Sequence, residues 1–412
     1  MKTNPNKQAA GVKSIPHERI MPYFQPIIAA DTNRIYSFEV LGRYIDDNSN
    51  VQSLGRFFSD RTVSCEDALK VDRIVRRKAL EKFAAEKKNQ HLFINLRLEW
   101  IAKYANKPEK LPTILWAREF GIDLSDIVIE ITEDEFFADS DYVTEIVNYY
   151  KKIGCRIAVD DYGKRASNIE RLAMLSPDII KIDMSYVHKS ENSYHYREYM
   201  KALALFAERV GIEVLYEGIE NQKQLDYCMN SRGRYYQGYM LALPQPDIAN
   251  AEADYAAFSA SYSGLVESMQ QKFGQNNSRR EFWDVAVEKF LREKKLNSAD
   301  NINEYFSEML LELSPCIKRI FLCDSRGKQL SYNIELCPDG GVRLNDCQRR
   351  NWSWRGYFAE AMAMLDLGLK SYLTSVYRDF TTKEKIYTYI RPLNKDLYLF
   401  VDILKSKVAA DV

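Results

Sequence analysis

The sequence predicts an α/β fold: a TIM-type barrel of mostly parallel strands, followed by an α+β domain built on an antiparallel sheet. Three observations lead there. Between Met21 and Met240, short β-branched or aromatic runs alternate with amphipathic helical patterns. After Pro246 the alternation gives way to helical stretches and then to closely spaced strands joined by turn residues. At 412 residues the chain also exceeds what one hydrophobic core ordinarily organises, which predicts two domains.

Eight runs are candidate barrel strands: Tyr23–Ile28, Ile35–Ile45, Leu92–Leu96, Ile127–Thr132, Arg156–Asp161, Ile179–Asp183, Glu213–Ile219 and Tyr235–Met240. Helical periodicity fills several gaps between them, over Glu66–Lys88, Tyr142–Lys152, Tyr196–Val210 and Asn221–Asn230. Repeated strand-helix units of this total length suggest a closed barrel with its functional groups at the strands' carboxyl ends. A doubly wound open sheet is the alternative, and a dinucleotide-binding version of it lacks support because no GxGxxG follows an early strand. Beyond the barrel, a helix is expected over Ile248–Phe273, a break at Gly274–Arg280, two more helices and a hairpin around Asp324–Gly327. Ser371–Phe380, Ile386–Leu393 and Leu397–Leu404 then complete a five-stranded antiparallel sheet. The expected bounds are a disordered tail over 1–16, the barrel over 17–250, a connecting helix over 251–280 and the second domain over 281–412.

Composition narrows the function. Hydrophobic residues make up 46% and charged residues 28%, and no apolar run approaches the ~20 residues of a membrane span. The polar start, MKTNPNKQAAGVKSIPHER, has no secretory or lipidation pattern, so a cytoplasmic protein is expected. With 58 basic and 58 acidic residues there is no bulk attraction for long nucleic acid. Seven cysteines without a CxxC pair point to reduced thiols, not to a zinc ribbon or a disulfide framework.

The polar residues that close the barrel strands are Glu39, Asn95, Glu130, Asp160 with Asp161, Lys181, Glu217 and Gln237. Taken singly, several have bland readings: Glu39 a surface carboxylate, Asn95 a strand-end cap, Asp160-Asp161 and Gln237 turn residues. Lys181, inside the apolar run Ile179–Asp183, must lie at a strand end or face a polar interior, because a buried unpaired ammonium is costly. Taken together, five carboxylates converge on one barrel face. Hard oxygen ligands suit Mg²⁺ or Mn²⁺, while the absence of HExxH argues against zinc. Such a cluster implies either bound metal or interleaved Lys and Arg.

The motifs FQPI (Phe24–Ile27), FEVLGR (Phe38–Arg43), FINL (Phe93–Leu96), IEITE (Ile129–Glu133), VDDYG (Val159–Gly163), KID (Lys181–Asp183), EGIE (Glu217–Glu220) and QGY (Gln237–Tyr239) resemble the successive signatures of EAL domains, in order. The eponymous tripeptide reads Glu39-Val40-Leu41. The resemblance implies an EAL-type modified TIM barrel with phosphodiesterase activity on cyclic di-GMP, yielding linear pGpG by a two-metal mechanism. It implies that Glu39, Asn95, Glu130 and Asp160 hold a first cation, and that Asp161 helps to hold a second. Lys181 and Glu217 would position and deprotonate the attacking water, with Gln237 in support. Gln25, Leu41 and Arg43 would contact the dinucleotide, and Glu133 would brace the loop after Asp161. Mg²⁺ or Mn²⁺ is the implied cofactor, Ca²⁺ is expected to bind without supporting turnover, and a homodimer is the implied assembly.

One departure bears on rate. Arg165 stands where the family has a second glycine in the loop after Asp160-Asp161, which raises the expectation of weak or conditional turnover. A catalytically inactive cyclic di-GMP receptor is therefore the second reading, and an interaction scaffold the third. The second domain looks like a PAS-like or Cache-like sensor fold in its arrangement. Its aromatic cluster, Trp352, Trp354, Tyr357 and Phe358, is read first as core packing and second as a pocket lining.

Overall fold

A computed structural model describes residues 15–407 apart from 87–88, 102–103, 105–106, 137–140, 165–171, 173–175, 295–300, 314, 338–339 and 349. Most of the tail expected over 1–16 thus lies outside the described residues. The chain divides into two compact units, Met1–Leu265 and Val266–Val412.

In the first unit nine strands form one sheet: β1 (Ile20–Ala29), β2 (Arg34–Ile45), β3 (Val51–Ser53), β4 (His91–Asn95), β5 (Ile127–Thr132), β6 (Arg156–Tyr162), β7 (Ile179–Ile182), β8 (Glu213–Tyr216) and β9 (Tyr235–Tyr236). Their order is β1-β9-β8-β7-β6-β5-β4-β2-β3. β1 also pairs with β2, so eight strands close into a barrel and β3 forms a hairpin with the end of β2. β1 runs antiparallel to both neighbours, while the remaining barrel strands pair in parallel. The short polar run Val51–Ser53 carried no strand signal in the sequence.

Strand side chains alternate between faces, and this period sets the architecture. Ile27, Phe93, Val128, Ala158, Ile179, Leu215 and Tyr235 point inward and pack into one apolar layer inside the barrel. Their neighbours, such as Phe38, Ile129, Ile131 and Ile180, point outward into a larger core. The helix Cys65–Ala85 buries Ala68, Val71, Val75, Ala79, Leu80 and Phe83 there, and it starts where Ser64 accepts the Asp67 N–H at 3.1 Å.

The second unit has seven antiparallel strands: β10 (Ile317–Asp324), β11 (Asn333–Leu336), β12 (Val342–Asn345), β13 (Tyr372–Leu373), β14 (Tyr377–Arg378), β15 (Lys385–Pro392) and β16 (Leu397–Leu404). The order is β12-β11-β10-β16-β15-β13, with β14 also on β15. The five strands expected from sequence become seven for two reasons. β12 is an additional strand, and Ser371–Phe380 splits in two because the Thr374 hydroxyl takes the Thr388 N–H at 2.9 Å, in place of a regular ladder carbonyl. One sheet face packs Phe306, Met309 and Leu310 of the helix Ile302–Leu313, and the other packs Phe358, Ala361 and Leu365 of the helix Gly356–Asp366.

A single helix, Tyr255–Glu293, replaces the expected helix over Ile248–Phe273, break and further helix. It begins after Asp254, whose carboxylate accepts the Ala257 N–H at 2.8 Å. Gly274, Asn276, Asn277 and Ser278 are poor helix formers, but each costs about 1 kcal/mol or less in a helix interior. Side-chain bonds from Asn277 to Glu281 and from Arg280 to Asn277, both 2.9 Å, support the turn. Among the described residues no helix is long and apolar enough to cross a membrane.

Phe93 is fully buried in the inner layer, so Phe93→Ala should destabilise the first unit by about 3–5 kcal/mol. Urea denaturation monitored by circular dichroism checks this, and an unchanged midpoint would contradict the packing described.

Candidate active site

Two residues beyond the inner apolar layer, toward the carboxyl ends of the parallel strands, every barrel strand presents a polar side chain. Phe93 leads to Asn95, Val128 to Glu130, Ala158 to Asp160, Ile179 to Lys181, Leu215 to Glu217 and Tyr235 to Gln237. β1 and β2 contribute Gln25 and Glu39, which face each other across their ladder. The period of two that fills the barrel with apolar residues thus also closes its mouth with polar ones.

Lys181 occupies the middle of this ring and is fully buried. Its ammonium pairs with Glu130, with Glu217 at 2.6 Å, with Asp160 at 2.9 Å and with Glu39 at 3.5 Å. Burial alone pulls a lysine down, but the carboxylates around it, Asp160 first, outweigh burial and hold Lys181 well above its usual range. Burial acts the other way on acids and pushes the Glu130 and Glu217 carboxyls well above the usual carboxylate range, against the pull of Lys181. Asn95 Nδ2 donates to Glu130 at 2.8 Å and to Glu39 at 3.4 Å, and Gln237 Nε2 donates to Glu39 at 2.6 Å.

Asp160 and Asp161 lie in a β-bulge, where the β6–β7 register shifts between Val159 and Tyr162. Asp161 adopts a left-handed φ of 56°, which turns its side chain away from that of Asp160. It pairs with Lys164 at 3.0 Å and shares a hydrogen bond with Asp183. Burial, and then the charge of Asp160, raises the Asp161 carboxyl. Burial also works against ionised Asp183, but bonds from Ser185 and Asp161 outweigh it and hold that carboxylate below its usual range. Asp183, bonded to Asp161 beside the ring, is the neighbour of the candidate site that strand-end reasoning passed over. The signal for it was its place beside Lys181 and before the helix Met184–Ser190, which it caps.

Glu133 is buried and accepts the Gly163 N–H at 3.1 Å. Gly163 has φ 95°, and a Cβ there would lie 2.9 Å from the Tyr186 ring, so glycine is required for both conformation and space. Gln25 is buried and donates to the Ala242 carbonyl at 3.3 Å. Leu41 and Arg43 follow Glu39 at alternate positions of β2 and line a cavity of about 280 Å³ that also reaches Asn95, Phe58 and Trp100. The loop departure at Arg165 lies outside the described residues.

The sequence left open whether metal or interleaved cations balance the carboxylates. In this structure Lys181 does so, and among the described residues no three His, Cys, Asp or Glu side chains are gathered as a ready metal cluster. The donor set still fits a hard divalent cation. Four carboxyl groups surround one ammonium, more acid than one lysine can neutralise once they ionise, the available donors are oxygens, and Gln237 Oε1 is buried without a hydrogen-bond partner. Glu39, Asn95, Glu130 and Asp160 are the residues that would hold it.

Residues 11–244 match the EAL domain family. The chain belongs to the EAL family. Residues 260–408 match the EAL-domain associated signalling protein domain. The EAL-domain containing protein YkuI of Bacillus subtilis is 31% identical over 385 residues, 93% of this chain and 94% of that protein. The crystal structure of YkuI in complex with substrate c-di-GMP and calcium superposes with a TM-score of 0.85 at 31% identity, covering 95% of this chain and 97% of that one. A standalone EAL protein from Vibrio cholerae O395, in its c-di-GMP bound form, gives a TM-score of 0.50 at 25% identity over 57% of this chain and 97% of its own. PdeB of Escherichia coli, a probable cyclic di-GMP phosphodiesterase, is 27% identical over 57% of this chain, but this EAL protein spans only 45% of PdeB.

Because its carboxyl is raised in the folded state, Glu130 keeps a proton that the unfolded chain loses near the ordinary value of 4.5. Its contribution to stability is therefore present at low pH and lost as pH rises toward the folded value. Metal-free protein should lose urea resistance as pH rises above about 4.5, and Glu130→Gln should flatten that dependence. Equal slopes in the two proteins would contradict the assignment.

Proposed function

We propose that this chain is a cyclic di-GMP phosphodiesterase that opens the cyclic dinucleotide to linear pGpG. The observation that carries the reading is the ring of Glu39, Asn95, Glu130, Asp160, Lys181, Glu217 and Gln237 at one barrel mouth. It is supported by the likeness over nearly the full chain to YkuI, whose crystal structure holds c-di-GMP and calcium.

Glu39, Asn95, Glu130 and Asp160 would hold a Mg²⁺ or Mn²⁺ ion, and Asp161 would help to hold a second. Such ions supply Lewis acidity, lowering the pKa of a coordinated water and offsetting phosphate charge. Glu217 is the proposed general base. Its raised carboxyl makes the ionised form a stronger proton acceptor than an exposed glutamate. Lys181 offers N–H donors that orient the attacking water, and its charge tempers the repulsion between the acids and an anionic substrate. The water oxygen bonds to phosphorus, one ribose P–O bond breaks, and the proton removed from water is balanced by protonation of the departing ribose oxygen. Gln237 steadies Glu39, and Glu133 braces the Asp161 loop through Gly163. Gln25, Leu41 and Arg43 are the proposed dinucleotide contacts. A cytoplasmic homodimer with a PAS-like second domain completes the reading.

A second reading, a receptor that binds cyclic di-GMP without cleaving it, is favoured by the Lys164–Asp161 ion pair, which engages the proposed ligand of the second cation. One assay separates the two. Incubation of the full chain with cyclic di-GMP and Mg²⁺ or Mn²⁺ should release pGpG, whereas binding without product would select the receptor.

Glu217→Ala should lower turnover by about 100-fold or more, the contribution of a positioned base. Glu39→Ala should abolish turnover through loss of metal, with normal rates in both variants counting against the assignment. Ca²⁺, larger and less demanding in geometry, should occupy the site without supporting hydrolysis. Equal rates with Ca²⁺ and Mg²⁺ would overturn the mechanism.

A further inference from the structure

The two aspartates of the β6 bulge each face a lysine of their own. Asp160 pairs with Lys181 at 2.9 Å, and Asp161 pairs with Lys164 at 3.0 Å. The two ammonium groups differ in what holds them. Lys181 is fully buried and is answered by Glu39, Glu130 and Glu217 besides Asp160, so removing it would strand several acids in the barrel. Lys164 has 58% of its side chain exposed, and Asp161 has 38% of its own. An exposed pair of this kind favours its closed form by no more than about fivefold in an equilibrium constant, so the ammonium can be displaced.

The pair is nevertheless built into the backbone. Asp161 takes its left-handed φ, its carbonyl accepts the Lys164 N–H at 3.1 Å, and this tight turn brings the lysine side chain back onto the Asp161 carboxylate. Gly163 inside the turn is fixed by its N–H bond to Glu133 and by the Tyr186 ring packed against it. Asp183, hydrogen-bonded to Asp161, adds a second carboxyl group, and the charges of Asp183 and Asp160 also act on Lys164. A divalent cation brings twice the charge of an ammonium to the same oxygens, so it can take the place of one that is loosely held. Two cations on one carboxylate also repel each other, and the ammonium and the metal ion therefore compete.

We propose that Lys164 is a built-in competitor for the second cation of this mouth. The first position draws on three carboxyl groups and the Asn95 amide, and its ammonium neighbour Lys181 stays in place. The second position draws on Asp161, which is already engaged, and an ion enters it only as Lys164 leaves. The two ions thus load in order, the first tightly and the second weakly, and Lys164 sets the concentration at which the second position fills. This inference rests on the reading of the barrel mouth as a divalent-cation site and adds the residue that decides how many ions it carries.

The test is a Mn²⁺ titration of the metal-free full chain, with bound ion counted from the loss of the free-ion electron paramagnetic resonance signal and the two steps resolved by calorimetry. Wild-type protein should bind one Mn²⁺ tightly and a second more weakly. Lys164→Met, which removes the charge and keeps the length, should tighten the second step about fivefold or more and leave the first unchanged. Lys164→Arg, which keeps the charge, should retain the weak second step. A second ion seen only in Lys164→Met supports the proposal equally. Thermal unfolding of the metal-free variants identifies one that fails to fold, and Lys164→Ala then replaces Lys164→Met. Equal second steps in wild type and Lys164→Met, the same gain at both steps, the same gain in Lys164→Arg, or a single Mn²⁺ in every variant would overturn the proposal while the first cation position stands. No Mn²⁺ bound by any variant would overturn the cation site and the proposal with it.

Discussion

The first unit depends on one ammonium. Lys181 sits in the barrel mouth with Glu39, Glu130, Asp160 and Glu217 around it, above a layer of Phe93, Val128, Ile179 and Leu215 that admits no compensating polar group. Lys181 and Glu130 are fully buried, so each charge there is costly unless another charge answers it. Strand closure forces the acids together and the lysine lets the closure persist. The acids in excess of that one lysine are what would draw a cation to the proposed site.

The same period-two alternation explains how much of this was legible in the sequence. Each apolar run ended in a polar residue, and Lys181 within Ile179–Asp183 could not have been an ordinary core side chain. The runs themselves located the barrel strands, because parallel strands covered on both faces are apolar nearly throughout. Chain order does not report side-chain distances, however. The choice between metal and lysine as the partner of the acids therefore waited for coordinates, as did the coupling of Asp161 to Asp183. The second belongs to the bulge at Asp160-Asp161, a register change that composition does not reveal.

The misread parts share a different cause. Local propensity argued for a break at Gly274–Arg280, yet the helix Tyr255–Glu293 runs through it, since several small penalties are outweighed once the flanking turns are in place. β3 and β12 are short, partly polar strands whose pairing partners supply the regularity that their own sequences lack. In the second unit the charged residues follow opposite logics. Arg319 is buried with two acids, while Arg355 is held among four aromatic rings. Neither arrangement is visible from spacing along the chain.

The central claim is that the acids around Lys181 are a cation site and not only a structural ion-pair network. Anomalous diffraction from crystals grown with Mn²⁺ and cyclic di-GMP tests it most directly. The account predicts a manganese peak bounded by Glu39, Asn95, Glu130 and Asp160. A well-ordered dinucleotide at the barrel mouth with no manganese peak among those residues would contradict it.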